Sequence, residues 1–345
     1  MKNVAKNAYI AVAIATLLSA CGGGGGSVAS QTPAPAPVPV PVVTPTPADI
    51  QTSVPALTYA STSAEFAFVT AFNNFRSQIG LGLLAQNTFL DKSAQNHLQY
   101  ILTNDALKGG TVDMRANDPV TGRSMFHIEN SANKGFTGIQ EFERAKFAAY
   151  PGVYAGEEIA FAGGKGGKVA FDALASTVYH RAGLMLEGIR DVGVAVGQDA
   201  SQTVGLEFGY SKPQANADDF FGIYPTDNQT GLGLHAGVET PNPFPDLSTS
   251  NADFPTKTGY PVSVVAKTAA KLEVVTFTVT EAGATAPMTS RIMTRDNDPN
   301  KRLTANVAFL VASSPMKPNT SYSVSFSGRV NNNVVTKNWK FTTGN

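Results

Sequence analysis

Partway along this 345-residue chain the spacing of apolar side chains changes from a helical period to a period of two, and that change limits the fold most. Near the start, Phe68, Phe72, Phe75 and Ile79 recur at helical spacing and make one apolar face. After Gly259 the runs YPVSVVA, LEVVTFTVT, RIMT, VAFLVA, YSVSFSG and WKFTT are short, alternate, and are separated by turn residues. A helix stripe and a sheet face must each be buried against another layer. Helices first and strands last, without regular βαβ alternation, predict an α+β part followed by an all-β part.

The helices can be placed from their ends. Thr62-Ser63-Ala64-Glu65 reads as a capping box with Thr62 as N-cap, and Gly80 closes that helix. A second helix is expected over 88–103, burying Leu90, Ala94, His97, Leu98 and Ile101. His97 on that apolar face reads as a packed histidine with a hydrogen-bond partner. A third helix should follow the Gly-Lys stretch, with Ala170, Ala173, Leu174, Thr177 and Val178 on one side. DVGVAVG and TVGLEFGY read as a hairpin. From about Ser211 to Lys257 the chain is rich in Pro, Gly, Asn and Asp. It reads as extended loops that wrap the first domain and reach a boundary near Asn251.

The N-terminal stretch is organised differently. Lys2 and Lys6 precede an apolar run from Ala8 to Leu18, too short to span a bilayer. The run ends in Leu18-Ser19-Ala20-Cys21, which resembles the lipobox of bacterial lipoprotein signals. The resemblance implies a signal peptide over 1–20, acylation of Cys21, and a lipid-anchored place in the bacterial cell envelope, at the outer membrane. At about 0.8 kcal/mol per buried methylene, a multiply acylated cysteine is a firm anchor. Cys21 is the only cysteine, so no disulfide is expected within the chain. Residues 21–57 continue as a Gly run and then a Pro-rich stretch, a spacer that cannot bury a core. About 290 residues remain, enough for two domains, expected over 58–250 and 251–345.

Several function classes drop out. Acidic and basic side chains number 26 each, so no electrostatic case for nucleic acid exists. Gly167-Lys168 is followed by Val169, not by the Ser or Thr of a phosphate loop, and nucleotide is not expected. No GxSxG elbow and no HExxH zinc helix occurs.

Four segments carry a family resemblance. They are FNNFRSQIGLGLLAQNTFLDKSAQNHLQYI, MFHIENSANKGFTG, AGEEIA, and STVYHRAGLMLEGIRDVGVAVG. In that order they resemble the opening helices, first histidine segment, GENIA motif and SPGHR…VGVG motif of the CAP superfamily (the cysteine-rich secretory, antigen 5 and pathogenesis-related group) in its bacterial branch. Glu158 stands for the asparagine of GENIA, and Tyr179 for the glycine before the second histidine. The match runs from about residue 60 to 212. It implies an α-β-α sandwich with a cleft where two histidines meet acidic residues. Carried over, the cleft residues are His127, Glu157 and His180, and Glu129 is a candidate fourth member. Asp172 is not assigned the further acidic role.

Two imidazoles beside a carboxylate suit a divalent cation, zinc or similar, with open coordination positions. They also suit general acid–base chemistry. The expectation is a cleft binding such a cation through His127, His180 and Glu157 and acting on, or binding, an envelope or extracellular substrate. The alternative is a non-enzymatic module for adhesion or for a lipid, glycan or protein ligand. Arg181 is expected to pair with an acid near the cleft, Thr137 to serve a turn, and His235 to lie in a solvated loop. The segment PMKPNTSYSVSFSG…WKFTTG resembles the last hairpin of bacterial immunoglobulin-like domains, implying a β-sandwich over 251–345 with Trp339 in its core.

Overall fold

Helix α1 (Ala64–Gln78) begins one residue later than its sequence suggests. Ser63, not Thr62, is the N-cap, and its hydroxyl accepts the Phe66 N–H at 3.1 Å. Glu65 sits in the first turn, where the helix dipole favours an acid. The computed structural model describes residues 48–161, 164–199, 202–247 and 253–345. The expected signal peptide, Cys21, most of the spacer and the boundary at Asn251 lie outside these residues.

After a short strand β1 (Ala85–Gln86) comes α2 (Thr88–Asn104), whose buried face contains all five residues expected from the sequence. Helix α3 (Glu141–Phe147) follows a long irregular stretch and was not legible in the sequence. It is short and buries only Arg144 and Ala145, so it leaves no apolar stripe. Strand β2 (Tyr154–Phe161) carries the AGEEIA motif. The expected third helix is split into α4 (Gly167–Ala175) and α5 (Tyr179–Leu184). Ala173 is exposed, and Phe171 fills the core against Phe68, Phe72 and Phe75 at 5.6–5.7 Å between ring centres. The glycine before Lys168 has a packing reason, because a Cβ at Gly167 would lie 1.8 Å from the Ala64 carbonyl oxygen.

Strands β3 (Asp191–Val196) and β4 (Thr203–Tyr210) form the expected hairpin. The sheet order is β1-β3-β4-β2, with β1 parallel to β3 and the other pairs antiparallel. Strand alternation then sorts its residues. Val192, Val194, Val204, Leu206 and Phe208 join the core built by α1 and α4. Ala195 packs on Ala94 and Leu98 of α2, and Ser93 of α2 reaches Glu207. The sheet is thus covered by helices on both faces, and β2 is an edge.

The tail is not only loop. β5 (Phe221–Tyr224) and β6 (Gln229–Leu232) each join a sheet of the C-terminal part. A short helix α6 (Phe254–Lys257) precedes β7 (Val262–Ala266), β8 (Leu272–Glu281), β9 (Ser290–Thr294), β10 (Val307–Ala312), β11 (Ser321–Val330) and β12 (Asn333–Thr343). Two four-stranded sheets result, β5-β7-β10-β9 and β6-β12-β11-β8. Only the β6–β12 pair within them is parallel. Tyr322, Val324, Phe326, Trp339 and Phe341 are buried, as their alternation required. The Phe221 and Phe326 rings, 5.1 Å apart, join the two sheets. The chain is therefore mixed α+β, with antiparallel sheets dominating.

The described residues make one compact unit, with a core running from α1 to β12. Arg181 shows how. It is fully buried, donates to the Ala175 and Pro261 carbonyls, and lies against the rings of Tyr224, Tyr260 and Phe309 at 4.8, 5.0 and 5.8 Å. The expected acid partner is replaced by carbonyls and aromatic faces, because β5, β7 and β10 cover the helix on which Arg181 sits. Phe171→Ala should cost about 3–5 kcal/mol through the cavity it leaves among three phenylalanines. A urea midpoint unchanged from the parent would contradict that packing.

Candidate functional site at the edge of the first sheet

Glu157 and Glu158 are neighbours on β2, so their side chains leave opposite faces of the sheet. Each meets a different histidine. Glu157 stands opposite Glu207 in the β2–β4 register, on the face covered by α2. There it accepts the Nδ1 hydrogen of His127 at 2.8 Å and an Nη2 hydrogen of Arg144 at 2.6 Å. His97 Nε2 lies 3.3 Å away. Burial opposes the charge on Glu157, but Arg144, His97 and His127 outweigh it and hold the carboxyl well below the usual range.

Arg144 is fully buried and ties α3 to the site, donating also to the carbonyls of His127 and Ile139. Glu207, behind it, receives the Ser93 hydroxyl. Burial and the nearby Glu157 charge push its carboxyl far up, against the pull of Arg144. His97 is packed, as its helical position implied, with Nδ1 on Glu129 and Nε2 on the Phe126 carbonyl, both at 2.8 Å. Glu129 is buried and also accepts the Thr137 N–H at 2.6 Å. The candidate fourth member thus holds His97 and the Thr137 turn, one step behind His127.

His180 begins α5. Its Nδ1 lies 3.2 Å from Glu239 Oε2 and 3.2 Å from the Thr177 hydroxyl, and its Nε2 lies 3.7 Å from Glu158. Glu239 also accepts the backbone N–H groups of Val178, Tyr179 and His180, satisfying donors that the helix start leaves free. At Gly183 a Cβ would fall 2.2 Å from Glu158 Oε1, so the glycine makes room for that carboxyl. Burial raises Glu158; His180 pulls it down, and Glu239 and Glu157 push it up again, leaving it at about 8. Burial works against charge on His180, but Glu158 and Glu239 overcome it and lift the ring to about 9.

His127 and His180 border the same two hollows at this edge. The larger, about 440 Å³, has Phe126, Ile159, Phe161 and Val238 along its walls. The smaller, about 160 Å³, is reached by both Glu157 and Glu158. His127 has its Nδ1 on Glu157; in the neutral ring this leaves the Nε2 lone pair toward the cleft. The acid nearest the His180 Nε2 is Glu158, not Glu157, because strand alternation turns Glu157 to the other face. Asp172 pairs with Lys168 on the surface, and His235 bonds the Ala236 carbonyl in the tail, outside both hollows. Among the described residues no group of three or more His, Cys, Asp or Glu side chains is arranged to hold a metal ion.

Arg144, Glu207 and Glu239 were missed from sequence. Arg144 lies on an element without a stripe, and Glu239 in a tail that reads as loop. Only Glu158 had a signal, its place inside the GEEIA motif.

No protein-family profile matches the chain, and no curated protein does. Among solved structures, an outer surface protein from Borrelia burgdorferi overlaps 45% of this chain and 97% of its own, at 12% identity and a TM-score of 0.32. An overlap of that size assigns neither fold nor function. Among the described residues no helix is long and apolar enough to cross a membrane.

Both His180 and Glu158 bind protons more tightly in the folded chain than their ordinary values of 6.5 and 4.5. Their contribution to stability is complete below those values and is lost as pH rises through about 8 and about 9. The urea midpoint should therefore fall as pH rises from about 4.5 to about 9, and Glu158→Gln should flatten the fall. An equally steep fall in the variant would show that this pair is not its source.

Proposed function

We propose that this is an envelope lipoprotein of CAP type, anchored through Cys21, whose cleft at His127 and His180 binds a ligand. The immunoglobulin-like reading of the C-terminal sheets belongs to the same proposal. The observation that carries it is the larger hollow. Its apolar walls are interrupted by two histidines, each oriented by a carboxylate, Glu157 for His127 and Glu239 for His180. Apolar walls with a few fixed polar groups are the usual make-up of a ligand pocket. The ligand classes open to it are a lipid, a glycan or a protein segment of the envelope.

Filling the hollow tests the reading. Ala173 lines it and is exposed, so Ala173→Trp should fill space without disturbing the core. With 1-anilinonaphthalene-8-sulfonate as probe, the full chain in detergent should show saturable fluorescence, weakened about tenfold in Ala173→Trp, or about 1.4 kcal/mol. Equal titrations in the two proteins would remove the hollow as the binding place.

A second reading is a divalent cation at His127 and His180, with Glu157 behind. It is favoured by the Nδ1–carboxylate contacts, the outer-shell arrangement that orients metal-binding histidines. Calorimetry with zinc should then give a 1:1 heat in the parent chain that disappears in the His127→Ala, His180→Ala double variant. Equal heats from both proteins would discard the cation.

A further inference from the structure

Six Arg, His and Glu side chains border the smaller hollow: Arg123, His127, Glu157, Glu158, His180 and Arg302. Five have partners. Arg123 holds Glu141 at 2.9 Å, and His127 and Glu157 hold each other. His180 sits between Glu239 and Glu158. Arg302 is the exception: among the described residues its guanidinium makes no hydrogen bond or ion pair, and only its backbone N–H is engaged.

The loop bearing Arg302 belongs to the C-terminal sheets, between β9 and β10, and it is fastened at the cleft. Asp298 is buried and accepts the Tyr179 hydroxyl together with the N–H groups of Asn300, Arg302 and Leu303. Asn300 donates its amide to the Tyr179 oxygen at 2.9 Å and to the Asn242 carbonyl at 2.8 Å. Tyr179 precedes His180. The same contacts that fix the start of α5 therefore fix the backbone at Arg302 beside the hollow.

We infer that the smaller hollow takes an oxyanion, a carboxylate or phosphate group of the ligand, held by Arg302 from the C-terminal sheets in the hollow that His127 and His180 also border. The inference rests on the cleft reading above and adds the ligand's charge. A guanidinium offers a planar fork of donors matched to two oxygens of such a group. The hollow has room for a group of that size, and the partnered acids around it are already engaged by Arg144, His127 and His180. The site is composite. The C-terminal sheets supply a ligand contact rather than acting only as a spacer.

Titration calorimetry on the full chain in detergent tests this, with inorganic phosphate in one arm and succinate in the other. At least one arm should saturate, and the tighter arm identifies the group. Arg302→Ala should weaken that binding about tenfold or more, the loss of one charge-assisted contact. Arg302→Lys should fall between, since it keeps the charge but not the fork. The urea midpoint should not change, because the side chain is exposed. Equal affinity in Arg302→Ala, or no saturation in either arm, overturns the inference. If Ala173→Trp still weakens the fluorescent probe in that case, the cleft reading stands without the oxyanion.

Discussion

One buried negative charge organises the first half of the chain. Glu157 lies on an edge strand, out of water, and such a charge is tolerated only with partners. Arg144 supplies one, and to do so a seven-residue helix with almost no apolar face is held against the sheet. The same guanidinium takes the His127 carbonyl, so the irregular segment around His127 is fixed by the ion that orients its ring. His97 closes the group from α2 and passes the constraint to Glu129 and the Thr137 turn. The price of keeping Glu157 charged falls on Glu207, its cross-strand neighbour, which its own burial and then the Glu157 charge force toward the neutral form.

Residues 178–181 do the corresponding work on the other face. Val178, Tyr179 and His180 give their N–H groups to Glu239, Tyr179 reaches Asp298, His180 faces the cleft, and Arg181 enters the rings of the C-terminal sheets. Four consecutive residues thus join helix, tail, cleft and C-terminal sheets. Strands from the tail strengthen the joint, because β5 hydrogen-bonds to β7 and β6 to β12. Movement of the C-terminal sheets would be felt at His180 through Tyr179 and Arg181.

Legibility from the sequence followed the size of the local signal. Helix α2 was readable almost to the residue because five apolar-face positions repeat at one period. The β11–β12 hairpin was readable because serines alternate with Tyr322, Val324 and Phe326. Helix α3 was not, having one buried arginine and one buried alanine. The tail strands were not, because four residues each cannot show a period and their pairing partners lie far along the chain. Arg181 is structural without the acid partner its position suggests, and its aromatic surroundings come from three strands that no local pattern connects to it.

The sequence by itself determined the local elements with strong periodicity, the change from helical to strand patterning, and the candidates His127, Glu157 and His180 by their place in short motifs. Tertiary structure alone decided which acid each histidine meets. The reason is the pleat: adjacent residues of a strand face opposite ways, so Glu157 and Glu158 are one position apart in the chain yet serve different imidazoles. It also decided that Arg144 and Glu239 join them, since long-range charge pairing leaves no trace in the spacing of residues along the chain.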